Sequence, residues 1–508
     1  MKNSITTISA LLMVAGQMLA QNETDALRYS QLGFGGTARS SSMAGAFGAL
    51  GADFSSLSSN PGGLGLYRTS EFSITPLANY QSTTSTYAGT PSDAQQMNLN
   101  MGNLGIVFAK NIDKESNKSG WKFLQFGVGF NRLADYNTQT TISGVSPTSQ
   151  LDVYRDQANG YYPTDLDPFS TGMAFNTYLL DTIPGTGGNQ YKNPLAPGDK
   201  VNQYKSITTS GGYDEWVFSV GGNYENKLFL GGTIGLPTIN YHENTSYLET
   251  AVPGNASTFS SMQYNQSLAT SGTGVNFKIG AIYKPLEFLR VGLAFHSKTW
   301  MSMSDSWNAS MASSFSGADE WKSSTAYSPD GSYNYSLTTP GRIIGSLGLI
   351  VGKYGMIDVD YEYVDYTQAS LSSADAGAFD DANKAIKTNF TRTGNIRVGG
   401  ELKLRPMSIR LGYAYYGSPY STAGNNDGGR NCITGGLGFR HKRVFVDLAY
   451  VLTMSQSNYY LYDASYMTTT GPAVNSSSTS TYMLTVGLKF DNKPRERRQR
   501  RVPPPRPW

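Results

Sequence analysis

Residues 395–416 read NIRVGGELKLRPMSIRLGYAYY. Ile396, Val398, Gly400, Leu402 and Leu404 fall on one face of an extended chain, and Arg397, Gly399, Glu401 and Lys403 fall on the other. A turn at Arg405 to Met407 reverses the chain, and a second run follows over 408–416. Period-two alternation sustained over about ten residues is the pattern of a strand that crosses a bilayer. A soluble sandwich alternates as well, with its apolar face inward, so this stretch alone does not say which face meets lipid.

Outward from it the same pattern recurs. Ile357, Val359, Tyr361 and Tyr363 oppose Asp358, Asp360 and Glu362, and Val444, Val446, Leu448, Tyr450 and Leu452 oppose Phe445, Asp447 and Ala449. Tyr482, Leu484, Val486, Leu488 and Phe490 oppose Met483, Thr485, Gly487 and Lys489. About fourteen strands are predicted, near 70–80, 98–109, 121–136, 213–224, 228–248, 263–283, 289–304, 341–352, 356–366, 393–404, 408–416, 431–440, 444–454 and 481–490. Their connections alternate in length. A short set (111–119, 225–227, 284–288, 353–355, 405–407, 441–443) carries charges and turn formers, and a longer set reaches its extreme over 137–212. An even strand count with short turns at one end and long loops at the other predicts an all-β protein, a transmembrane antiparallel barrel of the outer-membrane type. A short helix is predicted within 374–389.

The remaining segments fit that reading. Residues 1–20, with Lys2 and an apolar stretch from Ile8 to Ala15, read as a signal peptide cleaved before Gln21. Residues 21–69 lack strand alternation yet carry Phe34, Met43, Phe47, Leu50, Phe54 and Leu57, which predicts a compact hatch plugging the lumen of the 70–490 barrel. Residues 491–508 form a basic, proline-rich tail, expected to be periplasmic like the N-terminus. Charged residues make up only 15% of the 508, while Gly (56) and Tyr (34) are abundant, as suits sheets, tight turns and aromatic belts. The tail holds seven cations and two carboxylates, so the rest of the chain is net negative, and a nucleic-acid partner is not expected. The lone Cys432 excludes an intrachain disulfide, and His242, His296 and His441 show no metal-ligand spacing. Neither a cofactor nor enzyme chemistry is expected.

The N-terminal residues Gly36, Ala38, Gly45, Ala46, Phe47, Asp53, Asn60, Pro61, Gly63 and Leu64 resemble the hatch of the FadL/TodX-type outer-membrane transporters. Gly62 stands where that family usually has alanine. The resemblance implies passive movement of long-chain fatty acids or other hydrophobic small molecules, caught by the loops, passed to a pocket above the hatch and released sideways past a kinked strand. It implies outer-membrane lipid and the barrel assembly machinery as partners. A shuttle or anchor of type IX protein secretion, with a periplasmic or secreted protein partner, is the alternative, and a structural or adhesive surface barrel is a third. Three sets of residues are singled out. Asn60, Pro61 and Gly62 with Arg39 form the hatch motif. Gly127, Gly129, Asn131 and Arg132 mark the expected kink, although the two glycines could equally serve close hatch packing. Lys278, Arg342, Arg397 and Arg410 face the lumen, where they could hold a carboxylate or, more commonly for such residues, pair with neighbouring acids.

Overall fold

In the computed structural model, which describes residues 22–113 and 120–490, two-faced strands close into one barrel. The expected signal peptide and the basic tail lie outside the described residues. The strands are β1 (Ser70–Tyr87), β2 (Thr90–Asn111), β3 (Trp121–Asp135, resumed as Thr138–Ser146), β4 (Val201–Tyr224), β5 (Leu228–Ala251), β6 (Phe259–Leu286) and β7 (Leu289–His296, resumed as Thr299–Phe315). They continue as β8 (Gly331–Thr339, resumed as Arg342–Val351), β9 (Gly355–Asp365), β10 (Arg392–Leu404), β11 (Met407–Tyr416), β12 (Arg430–His441), β13 (Val444–Tyr459) and β14 (Ala473–Phe490). Each pairs antiparallel with the next, and β14 pairs with β1 from Ser70↔Phe490 to Thr86↔Val474, which closes the wall. Among the described residues no helix is long and apolar enough to cross a membrane.

The outward face of the turn-side half is an apolar belt. Val291, Leu293 and Phe295 on β7, Ile343, Leu347 and Leu349 on β8, and Leu484, Val486 and Leu488 on β14 are all exposed. Aromatic side chains mark both margins: Tyr224, Tyr283, Tyr354 and Phe439 near the turns, and Trp300, Tyr361, Tyr450 and Tyr482 on the loop side.

Strands extend well beyond the predicted spans. β1 runs to Tyr87 and β2 starts at Thr90, joined only by Ala88 and Gly89, both at positive φ (47° and 79°). The expected strict alternation of connection lengths therefore fails here. Residues 81–86, Gln-Ser-Thr-Thr-Ser-Thr, have no apolar face, because above the belt the outer face meets water and pairing is kept by backbone bonds. The 137–212 connection is likewise strand at both ends, with helices α4 (Gln150–Ala158) and α5 (Thr171–Asn176) between, packed on Tyr87, Tyr247, Phe259 and Met311. The helix predicted within 374–389 is α6 (Asp380–Asn389).

Ahead of the barrel strands, the N-terminal segment fills the lumen with α1 (Glu23–Ser30), α2 (Ala38–Ser41), α3 (Ser56–Ser59) and a 3-10 helix over Pro61–Leu66. Asn22 caps α1 in a capping box with Asp25. Helix α1 lies among strand ends and α6 at the loop end of the barrel, whereas Phe490 lies at the turn end. The first and last described residues, Asn22 and Phe490, thus lie at opposite ends of the barrel. The apolar side chains of α1 follow the apolar interior of the strand extensions.

Candidate functional site

Two lumen regions are stacked along the barrel axis. On the turn side, the hatch is held by polar groups on the inward faces of the strands. Asp360 accepts from the backbone N–H groups of Phe47 (3.3 Å) and Gly48 (3.2 Å), and Asp358 accepts from that of Ala49 (3.1 Å). Arg290 donates to the Leu50 carbonyl (2.8 Å), Thr233 to that of Leu57 (2.9 Å), and Gln125 to those of Gly65 (3.1 Å) and Tyr67 (2.9 Å). Thr485 accepts from the Ala38 N–H (2.7 Å). A plug made of short helices leaves many backbone groups unpaired, and the wall supplies their partners.

The hatch motif is divided between two sides of this region. Asn60 caps the 3-10 helix by accepting from the Gly62 N–H (3.0 Å), and it donates to Gly48 (2.6 Å) inside the hatch and to Ala281 (3.2 Å) on β6. A Cβ on Gly62 would sit 2.9 Å from the Ala281 backbone, which accounts for glycine where alanine is usual. Arg39 points elsewhere, to Glu401 (3.1 Å) and the Ala52 carbonyl (3.2 Å), with its guanidinium over the Phe47 ring.

The four lumen cations do not stand free for a cargo carboxylate. Arg410, fully buried, bridges Glu401 (2.6 Å) and Asp447 (2.7 Å). Arg342 binds Glu362 (3.1 Å) and the Ser30 carbonyl at the end of α1 (2.6 Å). Arg397 lies 3.4 Å from Glu362 and 3.6 Å from Asp360, and Lys278 pairs with Glu215. Pulling one of these cations toward a ligand would leave a buried carboxylate without its partner, at a cost of about 3–5 kcal/mol. Arg342 joins wall and plug, and the other three join neighbouring strands of the wall.

Of the four residues expected to mark a kink, Arg132 is where the register of β3 slips. β3 keeps register through Gly127↔Ser219 and Gly129↔Val217; its pairing slips between Arg132 and Ala134, and the strand stops at Asp135. The glycines make room for the hatch instead: a Cβ on Gly127 would meet Leu57 at 2.6 Å, and one on Gly129 would meet Phe54 at 2.5 Å. Asn131 donates to Ser58 of α3 (2.9 Å). Arg132 pairs with Asp135 (3.3 Å) and Asp214 (3.4 Å), so the break in β3 is polar.

On the loop side the polarity of the strands inverts. On β7, Met301 and Met303 turn inward while Ser302 and Ser304 turn outward. On β5, Ile239 and Tyr241 are inside, with Asn240 and His242 outside; on β8, Tyr335 and Leu337 are inside, with Asn334 and Ser336 outside. With Tyr136, Tyr213 and Val364, and with Leu371, Phe379, Ile386 and Phe390 of the β9–β10 connection, they enclose an apolar chamber. Helix α1 occupies it through Ala26, Leu27 and Tyr29. The Tyr29, Tyr136 and Tyr241 rings meet edge to face at 5.7–6.1 Å, and Arg28 lies 4.3 Å over Tyr241. The resemblance implied a pocket above the hatch, but sequence reasoning named none of the residues of this chamber and did not predict α1. The legible signal was the switch from apolar-out to apolar-in along β5, β7 and β8.

No family model and no curated protein matches the sequence. Solved structures do match in fold. A FadL homologue of Pseudomonas aeruginosa superposes with a TM-score of 0.52 at 12% identity, over 90% of this chain and 100% of that one. The toluene transporter TodX of P. putida gives 0.51 at 13%, over 91% and 100%. The fold is that of an outer-membrane β-barrel with a lumen hatch. Within that class it is the FadL/TodX fold, fourteen antiparallel strands around an N-terminal plug.

Proposed function

We propose that the protein is a passive outer-membrane channel for hydrophobic small molecules, long-chain fatty acids among them, with the loop end outward. The chamber supports this reading: tyrosine, methionine, leucine and phenylalanine side chains enclose an interior beyond the membrane belt, where a barrel built only for water-soluble solutes would be polar. The sequence offers no nucleotide-binding loop, so movement follows the cargo's preference for apolar surroundings.

In this structure α1 stands where the cargo would bind. Burying Leu27 and Tyr29 stabilises that arrangement by a few kcal/mol. A chain that buries about eight methylenes contributes about 6 kcal/mol, enough to replace the helix. The hatch, tied by buried ion pairs and backbone bonds, is not displaced at that level. A cargo is thus held by its apolar chain rather than by a head group, and toluene, the cargo named for TodX, has no head group at all.

The test is saturable binding of long-chain fatty acids to the detergent-purified, folded barrel, monitored by quenching of tyrosine fluorescence. Affinity should fall steadily as the chain shortens. Absence of binding by both acids and their methyl esters would reject the channel reading.

A further inference from the structure

The strands of the loop-side half rise well past the aromatic margin. Asn308 lies eight residues beyond Trp300 on β7. At about 3.3 Å per residue and a tilt of about 40°, it stands roughly 20 Å above that margin. At this height the outer face of β4 to β7 carries a groove of about 650 Å³, the size of a small-molecule site. One row of register neighbours across it is Ser206, Ser246, Asn265, Ser310 and Tyr327, the last on the short strand Ser324–Tyr327. The next row is Thr208, Asn244, Ser267 and Asn308, and the Asn308 amide donates to Asp330 (3.4 Å). The alternate residues Tyr247, Tyr264 and Met311 are buried, so both rows point away from the lumen. The lining offers hydroxyls and amides with one carboxylate and no cation.

Above the groove the rim carries an aromatic pair. Trp321, in the 3-10 turn Gly317–Lys322, is 68% exposed, and Tyr178, just after α5, is 43% exposed. Their rings meet edge to face at 5.5 Å. Tyr178 has φ 57°, the left-handed position at a helix end where glycine is usual. A bulky residue is unfavourable in that conformation, and an exposed ring gains little burial to offset it. Singly scattered surface aromatics need no explanation, but a strained one held against a second exposed ring does. The adjacent Lys322 is paired with Asp319 (2.9 Å). Tyr327 adds a third ring on the groove below, 78% exposed.

These features together select a saccharide. Side-chain amides and hydroxyls match sugar hydroxyls as donors and acceptors, and exposed rings stack on the apolar C–H faces of pyranoses. With no cation in its lining, the groove gives phosphate no partner, and with its amide and hydroxyl rows it gives an acyl chain no apolar floor. The groove opens sideways, along the membrane, so its occupant stands beside the barrel. A sugar chain carried by the lipid of the outer leaflet stands there at this height.

We propose that this groove, with the Tyr178–Trp321 pair above it, binds the uncharged saccharide chain of the outer-leaflet glycolipid. The inference goes beyond the channel reading and shares with it only the outward placing of the loop end.

The test titrates the full-length, detergent-purified barrel by calorimetry with the lipid-free polysaccharide that mild acid releases from the lipopolysaccharide of the same cells. Saturable binding is expected. Trp321→Ala, and Asn265→Ala together with Asn308→Ala, should each weaken it by about tenfold. Tyr178→Gly should weaken it too while raising the unfolding temperature, because glycine accepts the left-handed position. The opposite signs separate a binding role from a folding one. A folded barrel that binds fatty acid but not the polysaccharide overturns the proposal and leaves the channel reading standing. Binding of the lipid A fraction in place of the polysaccharide overturns it, as does polysaccharide binding that every variant retains at full strength.

Discussion

The turn-side and loop-side halves of the lumen are built by opposite rules. On the turn side the strands put charge inward, and the plug is fixed by directional bonds to Asp358, Asp360, Arg290 and Glu401. On the loop side the same strands put Tyr241, Met301 and Tyr335 inward, and α1 is held chiefly by non-directional contact. Directional networks lose several kcal/mol when a single partner is removed, whereas apolar contacts exchange one occupant for another of similar area. The contrast assigns rigidity to the hatch and exchange to α1.

The contrast can be broken in five ways, in decreasing order of effect. Deleting residues 31–66 should leave a folded barrel that passes ions freely in planar bilayers; unchanged conductance would mean that this segment does not seal the lumen. Glu401→Gln removes the charge partner of the half-buried Arg39 and one of the two carboxylates on the buried Arg410. It should destabilise the protein by about 3–5 kcal/mol, seen as a lower temperature for the shift to the unfolded band on gels. A wild-type transition would remove the hatch network from the account. Deleting residues 22–30 should tighten fatty-acid binding without raising ion conductance, because a competitor leaves and the seal stays; weaker binding would make α1 part of the site. Shortening the acid by one methylene should weaken binding about fourfold, the equivalent of about 0.8 kcal/mol. The smallest effect concerns the head group. Methyl esters should bind as acids do in equilibrium titrations, because Lys278, Arg342, Arg397 and Arg410 are committed to the chain's own carboxylates. A marked preference for the acid would reveal a cation that exchanges partners.

The barrel was legible because one face of each membrane strand must be continuously apolar. The run from Ile396 to Leu404 and its relatives state this in the sequence, and the turns at 405–406 and 442–443 follow from it. Strand extensions such as 81–86 were not legible, since Ser and Thr on both faces look like loop and only register with β2 and β14 makes them strand. In the hatch, Asn60, Pro61 and Gly62 announced a tight turn, but their seat against Ala281 depends on wall residues more than two hundred positions away. The inward charges were visible as charges. Whether each faced a cargo or a carboxylate depended on which strands became neighbours, as with Arg410 between Glu401 on β10 and Asp447 on β13. The kink was expected over Gly127, Gly129, Asn131 and Arg132; the register slips at the last of these, between Arg132 and Ala134, where Gly33 of the incoming chain donates to the Leu133 carbonyl (2.9 Å).

The central claim is that cargo takes the place of α1 while the hatch stays. Spin labels at Thr24 on α1, which is exposed, and at Lys353 in a turn report the first motion, with the buried Cys432 replaced by alanine. A second pair, at Ser58 in the hatch and Lys353, reports the other. Pulsed electron–electron distance measurements with saturating long-chain fatty acid should move or broaden the Thr24–Lys353 distribution and leave Ser58–Lys353 unchanged. An unmoved α1 with ligand bound, or a hatch that shifts in its place, would contradict the account.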